Sequence, residues 1–360
     1  MARAFTRSDR WLLGGAALFS VLAAVVRHAG TVAPFVISAL ALAVLAGVVG
    51  RSVDQLADRL GPGTVGVLQA GLGNLPELFV CTFALRQGLT VVVTSALIGS
   101  ILGNLLLVLG LAFVVGGRRH GTIHYTELRA RMIMSLLLLS VAAMFVPSLA
   151  HYVGAAAGSH EVALSRVTAV VLLAVFALSV PMSLRRDEES PEPDSDEPDS
   201  GDRGPEPDWP LALSVSVLVV SALLAAYVSD LFVDALQPAM TALHINEVFA
   251  GLVIVAIAGN AVENAVGVKL AWRDRPDHAL AVILNSPLQI AVVLAPALVL
   301  LSPVIGGSQF TLVFSPMLMA SVGIAVGSVA FLISDGASDW LEGVTMIGLY
   351  ILIAAAFWWG

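Results

Sequence analysis

The chain has 360 residues, 58% of them hydrophobic and 12% charged, with a mean hydropathy of +0.91 and one cysteine, Cys81. A soluble domain of this length would carry about 25% charged residues, so one large soluble core is excluded, and a single cysteine excludes an intramolecular disulfide and a multi-cysteine metal centre. The formal charge of −8 is local: residues 187–208 hold eleven of the 26 acids and one base, Arg203, so the remainder carries about +2 and offers no basic stripe for nucleic acid.

The apolar residues fall in runs of about 20, the length that crosses a bilayer core as a helix. Taken in chain order they predict eleven spans: 11–27, 33–50, 64–85, 91–115, 132–150, 163–184, 210–229, 245–271, 279–302, 311–333 and 341–359. The first follows Arg3, Arg7 and Arg10 and has no small-residue cleavage site after it, so it is expected to be a retained span. With the N-terminus inside, fifteen of the 18 basic residues fall on the cytoplasmic side, and only Arg27, Arg86 and Arg166 fall outside. The positive-inside rule therefore predicts a multi-pass inner-membrane protein with a cytoplasmic N-terminus and an external C-terminus.

The long polar stretch, 185–209, is rich in Pro, Glu, Asp and Ser and has too few apolar residues to offset ordering entropy. It is expected to be a solvated cytoplasmic tether. The expected organisation is an N-terminal span (1–32), a first repeat (33–184, spans 2–6), the acidic linker (185–209) and a second repeat (210–360, spans 7–11). Five spans is an odd number, so the halves enter the membrane with opposite polarity. The fold class is an all-α polytopic membrane protein of about eleven helices with two inverted five-helix repeats, the arrangement in which secondary transporters build a midplane site.

The halves also share a motif. Gly73-Asn74-Leu75-Pro76-Glu77 is followed by Ser100, and Gly259-Asn260-Ala261-Val262-Glu263 by Ser286, with 23 residues from Glu to Ser in both. Asn and Glu three apart share a helix face, so Asn74 and Asn260 stand beside Glu77 and Glu263. An ionisable residue inside a span marks function by default. The alternatives are a structural ion pair, for which the spans supply no mid-membrane Lys or Arg, and hydrogen-bonding between helices by Asn and a protonated Glu. Two carboxylates with amide and backbone oxygens suit a divalent cation such as calcium, and Gly71, Gly73, Pro76 and Gly259 would loosen the helices to free carbonyls. The seven histidines lie at span ends or in loops, which argues against a softer metal. No cofactor is expected; the partners are inorganic cations and the lipid bilayer. Burial raises a carboxylate's pKa and a bound cation lowers it again, so one glutamate pair can carry calcium or protons in exchange.

Several stretches resemble the calcium/proton exchanger family of the calcium/cation antiporter superfamily. They are Asp54-Gln55-Leu56-Ala57-Asp58-Arg59-Leu60-Gly61-Pro62, the first Gly-Asn-x-x-Glu, the run from Gly99-Ser100 to Gly110, the second Gly-Asn-Ala-Val-Glu, and Ser286-x-x-Gln289-Ile290-Ala291. The likeness covers most of residues 50–300. It implies a calcium/proton antiporter working by alternating access, with Glu77 and Glu263 as central carriers. Asn74, Asn260, Ser100, Ser286 and Gln289 would line the site, with Asn104 beside it. Asn264 stands where the family commonly has His, and Val93 where it commonly has Gln, so pH dependence would rest on the carboxylates. Leu75-Pro76-Glu77 is similar to the sodium/calcium branch, which makes sodium/calcium or sodium/proton exchange the competing expectation. A channel is the other class, although it usually needs a continuous pore built from several subunits.

Overall fold

Inside hydrocarbon every backbone polar group must be satisfied within the segment, which leaves the helix as the structure for apolar runs of this length. The structure, a computed structural model, describes residues 5–60, 69–189 and 209–359. Its helices are α1 (Arg7–Val26), α2 (Val32–Leu60), α3 (Leu75–Arg86), α4 (Thr90–Leu102), α5 (Leu109–His120), α6 (Glu127–Tyr152) and α7 (Glu161–Glu189). They continue as α8 (Leu211–Leu243), α9 (Ala256–Trp272), α10 (Pro276–Gln289), α11 (Ala295–Ile305), α12 (Pro316–Leu332) and α13 (Trp340–Trp358). Four π-helical segments interrupt the ladder: π1 (Gln69–Gly73), π2 (Gly103–Val108), π3 (Ala250–Val255) and π4 (Ile290–Leu294).

Among the described residues nine helices are long and apolar enough to cross a membrane, or ten when the bent segment Glu247–Trp272 is taken as one span. The expected span 64–85 falls partly outside the described residues, as does most of the acidic linker. Some boundaries differ from the sequence expectation. The helix expected at 210–229 runs on to Leu243, because Leu231, Phe232, Val233, Ala235 and Leu236 continue the apolar pattern past Asp230. Asp230 and Asp234 therefore stand on a helix rather than in a loop. Likewise α7 continues beyond 184 to Glu189.

Packing runs across the two parts of the chain. Helix α2 lies along α8, α3 also packs on α8, and α9 packs on α2. At the periphery α5 packs on α13 and α11 on α7, while α6 meets α12. Each of these contacts joins a helix before the acidic linker to one after it. The closest approach is between α4 and π3: a Cβ on Gly99 would run into the backbone of Leu252, and one on Gly251 into that of Val92 and Ala96. Only glycine allows the two backbones to come this near.

One end is tied by a two-residue ribbon, Ile123–His124 pairing antiparallel with Ala337–Ser338. Tyr125 reinforces it with its hydroxyl on Ala337 O at 3.3 Å and Ser338 Oγ at 3.0 Å. Asp335, Asp339 and Glu342 cap backbone here. Asp335 accepts from Ala337 N–H, and Asp339 and Glu342 form the capping box that starts α13. Trp209, expected in the solvated linker, is fully buried, its backbone N–H on Gln55 Oε1 and its indole N–H on Asp9 Oδ2. Asp9 is itself buried, pairs with Arg51 at 3.2 Å and closes a capping box with Thr6 at the start of α1. An indole in an apolar setting needs an acceptor, and Asp9 supplies one.

Candidate ion-binding site

The two motifs sit at breaks in helices. Asn74 stands between π1 and α3 as the N-cap, with Pro76 in the first turn, where a missing N–H costs nothing. The second motif straddles a bend of 67° between Ala261 and Glu263. The break at Asn74 alters the expected helix face: Asn74 caps α3, so only Glu77 and Cys81 share its surface, and buried Cys81 packs as a small side chain. Proline, glycine and the π turns together explain why regular α-helix fails at these points.

Glu77 is buried, and Ser100 from α4 donates its hydroxyl to Glu77 Oε1 at 2.5 Å. Ser286 from α10 stands beside the Glu263 carboxyl. The equal 23-residue spacing thus puts a serine next to the glutamate in each half. Cross-links join the two. Asn260 Nδ2 donates to Ser100 Oγ at 2.9 Å and to Ala256 O at 3.1 Å. Asn104 Nδ2 donates to Ser100 O at 2.9 Å and, at 3.4 Å, to Ser286 Oγ. Asn74 Nδ2 donates to Gln289 Oε1 at 3.1 Å. Gly259 lies against Glu77, whose Cβ and Cγ would stand 3.8 Å from an added Cβ. All eight residues singled out in the sequence therefore meet in one cluster built by α3, α4, π2, α9 and α10.

The Asn74, Asn104 and Asn260 amides donate within the cluster through Nδ2, and their own carbonyl oxygens can still accept. Glu77 Oε2, Glu263 Oε2 and Asn264 Oδ1 are buried with no hydrogen-bond partner. Leaving such acceptors unpaired costs about 1–3 kcal/mol each. Among the described residues no Lys or Arg forms a salt bridge with either glutamate. Unpaired carboxylate and amide oxygens from two helix breaks are the hard ligand set a calcium-like ion takes. Among the described residues no group of three His, Cys, Asp or Glu could hold a metal ion, so a cation bound here would need neutral oxygens beside the two carboxylates.

Two members escaped the reading of the motifs. Asn264 adds a third unpaired oxygen; in the sequence it stood out as a departure from the family's His, not as part of the ligand set. Asp54, exposed on α2, lies within electrostatic range of Glu263. Val93 is a buried apolar residue and Thr94 turns its hydroxyl back to Thr90 O, so neither brings a polar atom to the cluster.

Known proteins resemble this chain over nearly its whole length. A protein named Ca(2+)/H(+) antiporter from Synechocystis sp. is 35% identical over 344 residues, covering 91% of each chain. The Ca(2+)/H(+) antiporter ChaA of Bacillus subtilis is 33% identical, covering 90% of this chain and 91% of its own. The solved structure of native YfkE superposes with a TM-score of 0.80 at 28% identity, covering 97% of this chain and 98% of that one. The family model described as sodium/calcium exchanger protein matches residues 30–185 and 213–359, the two blocks that flank the acidic stretch. A match of that extent, with those relatives, makes this chain a member of the sodium/calcium exchanger protein family.

Proposed function

We propose that this protein is a calcium/proton antiporter in which Glu77 and Glu263 carry the exchanged ions. The observation that carries the reading is the pair of buried, unpaired carboxylate oxygens, Glu77 Oε2 and Glu263 Oε2, at two helix breaks with no basic partner. It is supported by relatives named for calcium/proton antiport that span nearly the whole chain.

The mechanism follows from charge. Two carboxylates neutralise one divalent cation, and two protons neutralise the same pair, so cation and protons compete for one set of oxygens. A doubly charged, empty pair in the membrane is costly. That cost disfavours the conformational change unless cation or protons are aboard, which couples the two fluxes. Ser100 and Ser286 hold the glutamates in place, Asn260 and Asn104 tie each serine to the opposite half, and Asn74 and Gln289 fix one edge. A movement of one half against the other breaks the cross-links while leaving each Ser–Glu contact intact. The two halves act as inverted repeats, 33–184 and 210–360, around this site. In the cell membrane, with the N-terminus and linker in the cytoplasm, the protein expels calcium at the expense of the proton gradient.

The test is calcium uptake into everted vesicles with an imposed proton gradient, with and without sodium, beside Glu77→Gln and Glu263→Gln. Calcium-dependent collapse of the gradient, indifferent to sodium and lost in both variants, supports the reading. A requirement for sodium would reassign the counter-ion, and transport surviving in both variants would remove the glutamates from the site.

A further inference from the structure

A groove of about 560 Å³ runs between π2–α5 and α9. Its walls are Val108, Leu111 and Val115 on one side and Ala265 and Val268 on the other. It begins at Asn264, beside Glu263, and ends at Lys269 and Trp272. Eight residues of helix separate its ends, about 12 Å of rise, which is the reach of roughly half an acyl chain. Between Asn264 and Lys269 the lining is apolar. At the far end the Arg119 guanidinium lies 4.2 Å from the Trp272 ring centre, His120 Nε2 meets Trp272 O at 3.1 Å, and Arg118 lies over Trp340. Arg273 and Arg275 follow within three residues, and among the described residues none of these arginines nor Lys269 forms a salt bridge. Of the acids nearby, Asp277 is engaged by Thr126 N–H at 2.7 Å and Asp339 and Glu342 cap the start of α13, which leaves Asp274 against five basic side chains.

An apolar slot capped by a tryptophan and unpaired cations matches one kind of molecule, a lipid with an anionic head. We infer that an anionic phospholipid occupies this groove, one acyl chain along α5 and α9 and its phosphate on Lys269 and Arg119. The chain of the lipid then walls off Asn264 and Glu263 from the bilayer on this side. The acidic linker is the competing occupant by charge, but residues 190–208 contain no Leu, Ile, Val, Met or aromatic residue to fill the slot.

The experiment is native mass spectrometry of the full chain, offered equal amounts of phosphatidylglycerol and phosphatidylcholine. The expected result is at least tenfold preferential retention of phosphatidylglycerol. The preference should fall to near parity in Lys269→Gln/Arg119→Gln and persist in Arg166→Gln, whose base lies away from the groove. Leu111→Trp, which fills the slot and leaves the cations in place, should cut retention of phosphatidylglycerol too. Equal retention by the unaltered protein overturns the inference, as does a preference unchanged in both groove variants. A preference that emerges only when the acids of 187–208 are neutralised would assign the cations to the linker and overturn it as well.

Discussion

Replacing Gly99 by alanine tests whether the tight crossing of α4 and π3 sets the site. The added methyl would overlap the backbone of Leu252, which cannot rotate away as a side chain could. Overpacking against neighbours that can adjust costs about 1–3 kcal/mol, so this backbone collision belongs at or above the top of that range. Gly103, one turn along the same span, is the control: its Cβ would meet nothing within 4 Å. There alanine should be neutral, or stabilising by up to about 1 kcal/mol through reduced unfolded-state entropy. The next residue after Gly99 is Ser100, which holds Glu77 and accepts from Asn260. Separating α4 from π3 should therefore impair exchange more than stability. The assay is thermal unfolding of the purified variants with calcium uptake into proton-loaded vesicles. Expected is a lowered melting temperature and at least a tenfold loss of uptake for Gly99→Ala, with Gly103→Ala close to the parent. If Gly99→Ala is as stable and active as Gly103→Ala, the crossing is not as tight as argued and its role in placing Ser100 fails.

Other perturbations separate the remaining contacts. Ser100→Ala removes a donor to a carboxylate, a bond worth about 1.5–3 kcal/mol, so the calcium concentration for half-maximal uptake should rise roughly 10- to 100-fold; an unchanged value would take Ser100 out of the site. Asp9→Ala removes the Asp9 acceptor of the Trp209 indole N–H and weakens the hold on Arg51, with an expected loss of about 1–3 kcal/mol, and thermal unfolding with no shift would show that the N-terminal helix is not held there. Burial pushes the Tyr125 phenol up to about 12, above the ordinary value near 10. The folded state therefore holds this proton more tightly than the unfolded one, and its stability contribution is whole below about pH 10 and is lost as pH rises towards 12. Alkaline unfolding should be less steep in Tyr125→Phe across that window; identical pH profiles would refute the burial argument.

The local rules of a membrane chain decided much of this protein in advance. Long apolar runs must be helices because hydrocarbon offers the backbone no partner, and that requirement alone predicted the all-α, many-span fold. The repeated Gly-Asn-x-x-Glu with its equally spaced serine marked Glu77, Glu263, Ser100 and Ser286, because unpaired acids inside a span are too costly to be incidental. Asn104 and Gln289 became visible through family resemblance, since nothing in their local pattern separates them from other polar residues of a span.

What remained hidden depended on contacts between residues far apart in the chain. The four π turns leave no distinctive pattern, because a π turn arises where packing, rather than local propensity, inserts a residue into the helix. That Asn260 reaches Ser100 and Asn104 reaches Ser286 follows only once α4, π2, α9 and α10 are packed together. Trp209 read as part of a polar linker until its indole met Asp9, a contact across 200 residues. The groove between α5 and α9 likewise exists only in the assembled bundle. Hydrophobic length and motif chemistry are carried by neighbours in sequence, whereas close approach, cross-linking and concavity belong to surfaces that the tertiary fold brings together.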